Sequence, residues 1–282
     1  MEMLPPTLSF GAVDDLGFAA SGARLDLDQL RNRYAPSSLG PLIELLYLVA
    51  GGRLPSAVQT DWLADNGAGA MVSALRDNHD YWVQARDRRI GFVRAIRGDR
   101  YRDADALFTS FLMDAQRAAR EVTRLPGKTP GQLVAAMQEL ENNVHEHSEA
   151  AHTGVLAFRA TRRVFEFVVA DSGIGVLRSL QRCPRFAYLQ DHGEALEKAL
   201  SDGISRFGED TRRGHGFRPI FVGLANLRAS LRFRSGDYAL TIDGTSPTLA
   251  TAQLAQKPMI DGFLASIQCN VREQCSCLDI SI

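Results

Sequence analysis

The chain has 282 residues, 45% hydrophobic and 23% charged, enough for one large domain or two ordinary ones and unlike a disordered or collagen-like composition. Its 32 basic and 33 acidic side chains leave a formal charge of −1, which argues against a generally basic nucleic-acid binder while leaving a local basic patch open.

In chain order, residues 24–30 predict a short strand and 39–50 a buried helix closed by Gly51-Gly52. A second helical pattern covers 69–86. Residues 103–124 read as one amphipathic helix, with Ala106, Phe108, Leu112 and Ala115 among its apolar positions. The cluster Leu125-Pro126-Gly127-Lys128-Thr129-Pro130-Gly131 punctuates the chain. It predicts two domains: a smaller α/β regulatory or partner-binding unit over 1–125 and a second unit over 126–282. Beyond it, Thr129 suits an N-cap, Pro130 the first helical position and Gln132 a capping box, so a helix to about residue 148 is expected. Residues 163–169, rich in β-branched and aromatic side chains, predict a strand ended by Asp171-Ser172-Gly173-Ile174-Gly175. A short helix follows at 194–201, a polar glycine-containing loop at 206–216 and a helix at 220–230. Residues 231–234 and 238–242 predict a hairpin turning on Ser235-Gly236-Asp237, and 263–271 a last strand.

Four cysteines, Cys183, Cys269, Cys275 and Cys277, are too few for a disulfide scaffold of this length. The last three lie close together, yet no histidine follows His215 to complete a metal site, so reduced thiols are expected. The start, Met1-Glu2-Met3-Leu4-Pro5-Pro6, lacks the basic head and apolar run of a signal peptide. The longest apolar stretch, near 41–50, contains Glu44 and is too short to span a bilayer. A soluble, cytoplasmic protein without membrane contact is the expectation.

The chemistry concentrates after the Pro/Gly cluster. At helical spacing, Leu133, Met137, Leu140 and Val144 form an apolar stripe. Glu139, Asn143 and His147 form a second stripe beside it, a carboxylate, an amide and an imidazole stacked over roughly 12 Å. A solvated helix face would read the same way. Asp171 ends a predicted buried strand and precedes two glycines, which let a ligand approach the backbone; a plain turn is the alternative. Arg212-Arg213-Gly214-His215-Gly216-Phe217-Arg218 stands ahead of a helix, where backbone amides and arginines make a phosphate site or, alternatively, a basic loop.

Together and in this order, the three segments resemble the GHKL superfamily of gyrases, Hsp90 chaperones, histidine kinases and MutL repair proteins. The resemblance covers about 130–271. Residues Gln138 to His147 look like the family's Asn-containing helix, Asp171 to Gly175 like its Asp-x-Gly-x-Gly box, and Gly214-His215-Gly216-Phe217 like its second glycine box. Gly223 to Gly236 and Ile260-Asp261-Gly262-Phe263 resemble the later helix-to-hairpin and the approach to the final strand. The resemblance implies a Bergerat-type α/β fold, an α+β two-layer sandwich with helices on a mixed sheet, and ATP with Mg²⁺ as ligands. It implies that Asn143 supplies an oxygen to Mg²⁺ and Asp171 accepts a hydrogen bond from the adenine amine. Gly173 and Gly175 would keep the nucleotide floor open, while Gly214 and Gly216, with His215 and Arg218, would shape the phosphate lid. His147 would contact phosphate, and Glu139 stands where hydrolytic members orient water. Two departures stand out: Phe217-Arg218-Pro219 replaces the usual Gly-Leu continuation, and Phe263 replaces the Thr that commonly supports the adenine site.

Upstream, only His79 precedes the Pro/Gly cluster, without the continuation of a phosphoacceptor histidine, which disfavours an autophosphorylating kinase. The stretch from Arg24 to Leu42 resembles a STAS-like regulatory unit of the kind that accompanies bacterial anti-sigma-type ATPase domains. The expectation is a bacterial Mg-ATP-binding signalling protein with a protein partner, a homodimer being one form this allows. ATP would be hydrolysed, transferred to a partner, or bound as a non-catalytic conformational signal; a degenerate fold without nucleotide is the remaining alternative.

Overall fold

The computed structural model describes residues 7–22, 35–36, 38–55, 68–95, 104–200, 229–244 and 252–271. Seven α-helices and eight strands occur among them, in the order β1 (Thr7–Leu8), α1 (Phe10–Ser21), β2 (Ala35–Pro36), α2 (Leu39–Ala50), α3 (Ala68–Arg76), β3 (Tyr81–Val83), β4 (Ile90–Arg94), α4 (Ala104–Glu121), α5 (Thr129–His147), β5 (Val155–Ala160), β6 (Val164–Asp171), α6 (Gly175–Gln181), α7 (His192–Leu200), β7 (Ser230–Ile242) and β8 (Gln253–Asn270). The predicted strand at 24–30 and helix at 220–230 fall mainly or wholly outside the described residues.

Six strands form one sheet in the order β3-β4-β5-β6-β8-β7. Every pairing in it is antiparallel, where a mixed sheet was expected. Alternation along the strands feeds two separate cores. Phe165, Phe167 and Val169 of β6 face α4 to α7 together with Phe158, Phe233 and Phe263. Val168 and Ala170 face α1 to α3 together with Phe92, Val155 and Leu264. Helices therefore cover both faces, making three layers where two were expected.

The sheet draws strands from both sides of the 125–131 cluster. That cluster is a corner between α4 and α5, and β4 pairs with β5 from Ile90↔Arg159 to Arg94↔Val155. Among the described residues, the N-terminal part makes only the two-residue pairing β1–β2 apart from this sheet.

Several elements differ from their predicted bounds for local reasons. The helix predicted over 69–86 stops at Arg76, where Asn78 adopts φ 56, and the chain turns into β3. Helix α5 starts at Thr129, with Lys128 at the cap position and no side-chain cap bond; the amide of Gln132 donates to the Lys128 carbonyl. Ser235-Gly236-Asp237 is no hairpin turn. β7 runs straight through it, with Gly236 at φ 62 in a register shift against β8, the bulge that glycine permits inside a strand.

The back face is held by charge. Glu44 of α2 accepts hydrogen bonds from Arg232 (2.9 Å) and from Arg234, Asp14 of α1 accepts from Arg232 (2.7 Å), and Lys257 lies 2.8 Å from Asp14. Glu44 and Arg234 are fully buried. Glu166 accepts from the Leu39 amide at the start of α2 (2.8 Å) and from Arg159. Its carboxyl is pushed upward by burial, against the charge of Arg159 and these hydrogen bonds.

Candidate functional site

Asp171 is the last residue of β6, and the strand's alternation turns its side chain to the same face as Phe167 and Val169. It is 3% exposed. Its Oδ1 accepts a hydrogen bond from the Gly173 amide at 2.8 Å; among the described residues Oδ2 has no partner. Burial pushes its carboxyl up to about 7, only partly opposed by the Gly173 N–H. A half-satisfied buried carboxyl is costly unless something else completes it.

The segment after Asp171 is clamped from three sides. A Cβ on Gly173 would overlap the Ser148 carbonyl at the end of α5, and the Ile174 amide donates to that same carbonyl at 2.9 Å. Gly175 sits at φ 73, where an added Cβ would lie 2.8 Å from Ser235 Oγ. The Val176 amide donates to Ser235 Oγ (2.9 Å), and that hydroxyl donates to the Gly262 carbonyl (2.8 Å). One serine thus ties the start of α6 to β7 and β8. Gly262, at φ 73, packs so closely on Asp171 that a Cβ would overlap its backbone. Both box glycines therefore have an intramolecular packing role, beyond any freedom they give a ligand.

Helix α5 runs from the 125–131 corner to this clamp. Leu133, Met137, Leu140 and Val144 are buried on it, as its apolar stripe predicts. In the neighbouring stripe Glu139 is exposed while Asn143 and His147 are half-buried, so the stripe sinks toward the Asp171 end. Asn143 is five residues before Ser148, or about 7.5 Å along the axis at 1.5 Å per residue. Neither Asn143 nor Glu139 makes a side-chain hydrogen bond to another described residue. Glu141 behaves oppositely: it is buried and meets His145 Nε2 at 2.7 Å. This i,i+4 pair escaped the sequence reading, although its spacing is visible there.

Asp171 and Phe263 are register partners between β6 and β8. The Phe263 ring stacks on Phe233 with centroids 6.0 Å apart and planes 23° from parallel. Both rings are buried in the front-face core, and Phe263 stands at the position where the family resemblance calls for threonine. Gly214, His215, Gly216 and Arg218 lie outside the described residues, as do Cys275 and Cys277. Cys269 is buried in β8, its thiol pushed up to about 12 by burial, and no group of three or more metal-ligating side chains occurs among the described residues.

No family model matches the chain, and neither the curated proteins nor the solved structures contain a match. No helix among the described residues is long and apolar enough to cross a membrane.

Proposed function

We infer that the protein is a Mg-ATP-binding signalling protein of the GHKL type, its nucleotide held between α5, the Asp171 loop and the glycine box at 214–218. The observation that carries this reading is the buried Asp171 carboxyl with one oxygen bonded and the other left without a described partner. A carboxyl in that state suits a ligand N–H such as the adenine amine. The half-buried, unengaged amide of Asn143 fits an oxygen ligand for magnesium, which prefers hard oxygen donors and shares its shell with phosphates and water. Bound Mg-ATP would supply a transferable phosphoryl group. Asp171 would fix the base, Asn143 would orient the metal-bearing end, and Glu139, exposed and unengaged, would orient a water or a partner hydroxyl. Occupancy would bias partner binding to the extent that the two conformations differ in affinity.

Two measurements test this. Mg-ATP should raise the melting temperature of the purified chain, and Asn143→Ala should abolish that rise, because only a ligand that binds the folded state stabilises it. Phosphate release by wild type but not by Glu139→Ala identifies a hydrolase; tight binding with no release in either identifies a nucleotide-sensing switch. No stabilisation by Mg-ATP overturns both.

A further inference from the structure

Across the sheet from Asp171 lies a cavity of about 500 Å³, between α2, α3 and strands β4 and β5. Its volume lies within the range of small-molecule sites. Its apolar lining comes from Ile43, Leu46 and Val49 of α2, with Leu75 and Val155. Two guanidiniums, Arg76 and Arg94, also line it. Arg94 is held in place: its Nε donates to the His79 carbonyl (3.1 Å) and its Nη2 to the Leu75 carbonyl (2.8 Å). Among the described residues Nη1 has no partner, and no carboxylate lies within ion-pair distance of either arginine. An anchored guanidinium without a counter-ion is a preorganised anion receptor. An apolar lining that also carries arginines favours an organic anion over a bare inorganic one.

The same cavity touches the residues that hold the Asp171 loop. Tyr47 lines it, and its hydroxyl lies 2.7 Å from the Thr153 carbonyl and 2.9 Å from the Ala170 carbonyl, sharing its proton between them. Burial and then the Asp171 charge push the Tyr47 hydroxyl well above the ordinary tyrosine range, so it stays a donor. Thr153 also lines the cavity, and its Oγ1 accepts from the Ser172 amide at 2.9 Å. Residues 170 and 172, on either side of Asp171, are therefore both held by groups in the cavity wall.

We propose that this cavity binds a small organic anion with an apolar body, a medium-chain or aryl carboxylate in kind, and that its occupant acts on the Asp171 loop through Tyr47 and Thr153. The effect on nucleotide rests on the function inferred above; the site and its mechanical link to the loop do not.

Octanoate is the probe, with octanamide as its neutral counterpart and inorganic phosphate as the anion without a body. The full chain should bind octanoate saturably. Octanamide and Arg76→Ala should each weaken binding about 5-fold, the scale of one exposed charge contact. Arg76 is exposed and has no side-chain partner among the described residues, so that variant should fold normally. Ala50→Trp, at the exposed rim of the cavity, should abolish binding. Octanoate should slow hydrogen exchange at the amides of 172–174 several-fold, and both Tyr47→Phe and Thr153→Val should remove that slowing while still binding octanoate. No saturable binding up to about 10 mM, the weak end of specific recognition, overturns the site, as does unchanged binding by Ala50→Trp. Binding without altered exchange at 172–174 overturns the link. Mg-ATP affinity is read separately: octanoate binding with slowed exchange, in a chain that never binds Mg-ATP, supports this site and removes the nucleotide reading alone.

Discussion

The two faces of the sheet solve burial of charge in opposite ways. Under α1 to α3, Asp14, Glu44, Arg232 and Arg234 are buried together and mutually paired, with the half-buried Lys257 beside Asp14, and Glu166 is shared between Arg159 and the start of α2. Under α4 to α7 the sheet face is almost wholly apolar, and its end carries one carboxyl, Asp171, that has only half its partners among the described residues. Paired charges on the back face fix how the helices sit. The half-paired one on the front face is the position where the proposed nucleotide would supply the second partner.

The largest expected effect comes from breaking a paired charge. Glu44→Ala removes the carboxylate shared by two buried guanidiniums, leaving Asp14 as their one remaining carboxylate, and should destabilise the fold by about 3–5 kcal/mol, read by chemical denaturation. A loss under 1 kcal/mol would mean the cluster is not what seats α2. Asp171→Asn should do the reverse. Folding raises this carboxyl from 3.8 to about 7, so its contribution is fully favourable below the unfolded value and is lost as pH rises through about 7. Wild-type stability should fall across that window by at most about 4 kcal/mol from this group, and Asp171→Asn should remove the slope and be the more stable protein at pH 8. An unchanged pH profile in the variant would place the titration elsewhere.

Smaller effects sharpen the contrast. Gly173→Ala forces a methyl group against the Ser148 backbone and should cost about 1–3 kcal/mol, unlike an alanine at an open loop glycine. Asn143→Ala should change stability by less than about 0.5 kcal/mol, since its amide has no side-chain bond to another described residue, while eliminating the melting shift with Mg-ATP. A large stability loss there would make Asn143 structural.

Much of the front face was legible in the amino-acid order. The apolar period of α5 and the β-branched run of β6 carry their own signals, and Asp171-Ser172-Gly173-Ile174-Gly175 marks where the strand ends. The helix at 39–50 has the predicted limits because Ser38 and Gly51 bound a segment that is apolar apart from Glu44. The sheet's first half was not legible. β5 reads Val-Leu-Ala-Phe-Arg-Ala, a run buried on both faces that lacks the alternation of a half-exposed strand. β3 has three residues, too few for any period, and Asn78 in a left-handed conformation ended a helix whose pattern went on. The back-face cluster was invisible for another reason: Glu44 pairs with Arg232 across 188 positions, a separation no local pattern encodes. In the candidate site the same division holds. Glu139, Asn143, His147 and Asp171 announce themselves by type and spacing, whereas the clamp by Ser148, Ser235 and Gly262 depends on register between distant strands.

Calorimetric titration of Mg-ATP into wild type and Asp171→Asn tests the central claim most directly. One saturating site in wild type, a much weaker response to Mg-GTP, and none in a well-folded Asp171→Asn are predicted, because an asparagine that accepts from Gly173 turns its amide donor toward the ligand's own donor. Wild type that takes up no Mg-ATP, or a variant that binds it as tightly as wild type, would contradict the account.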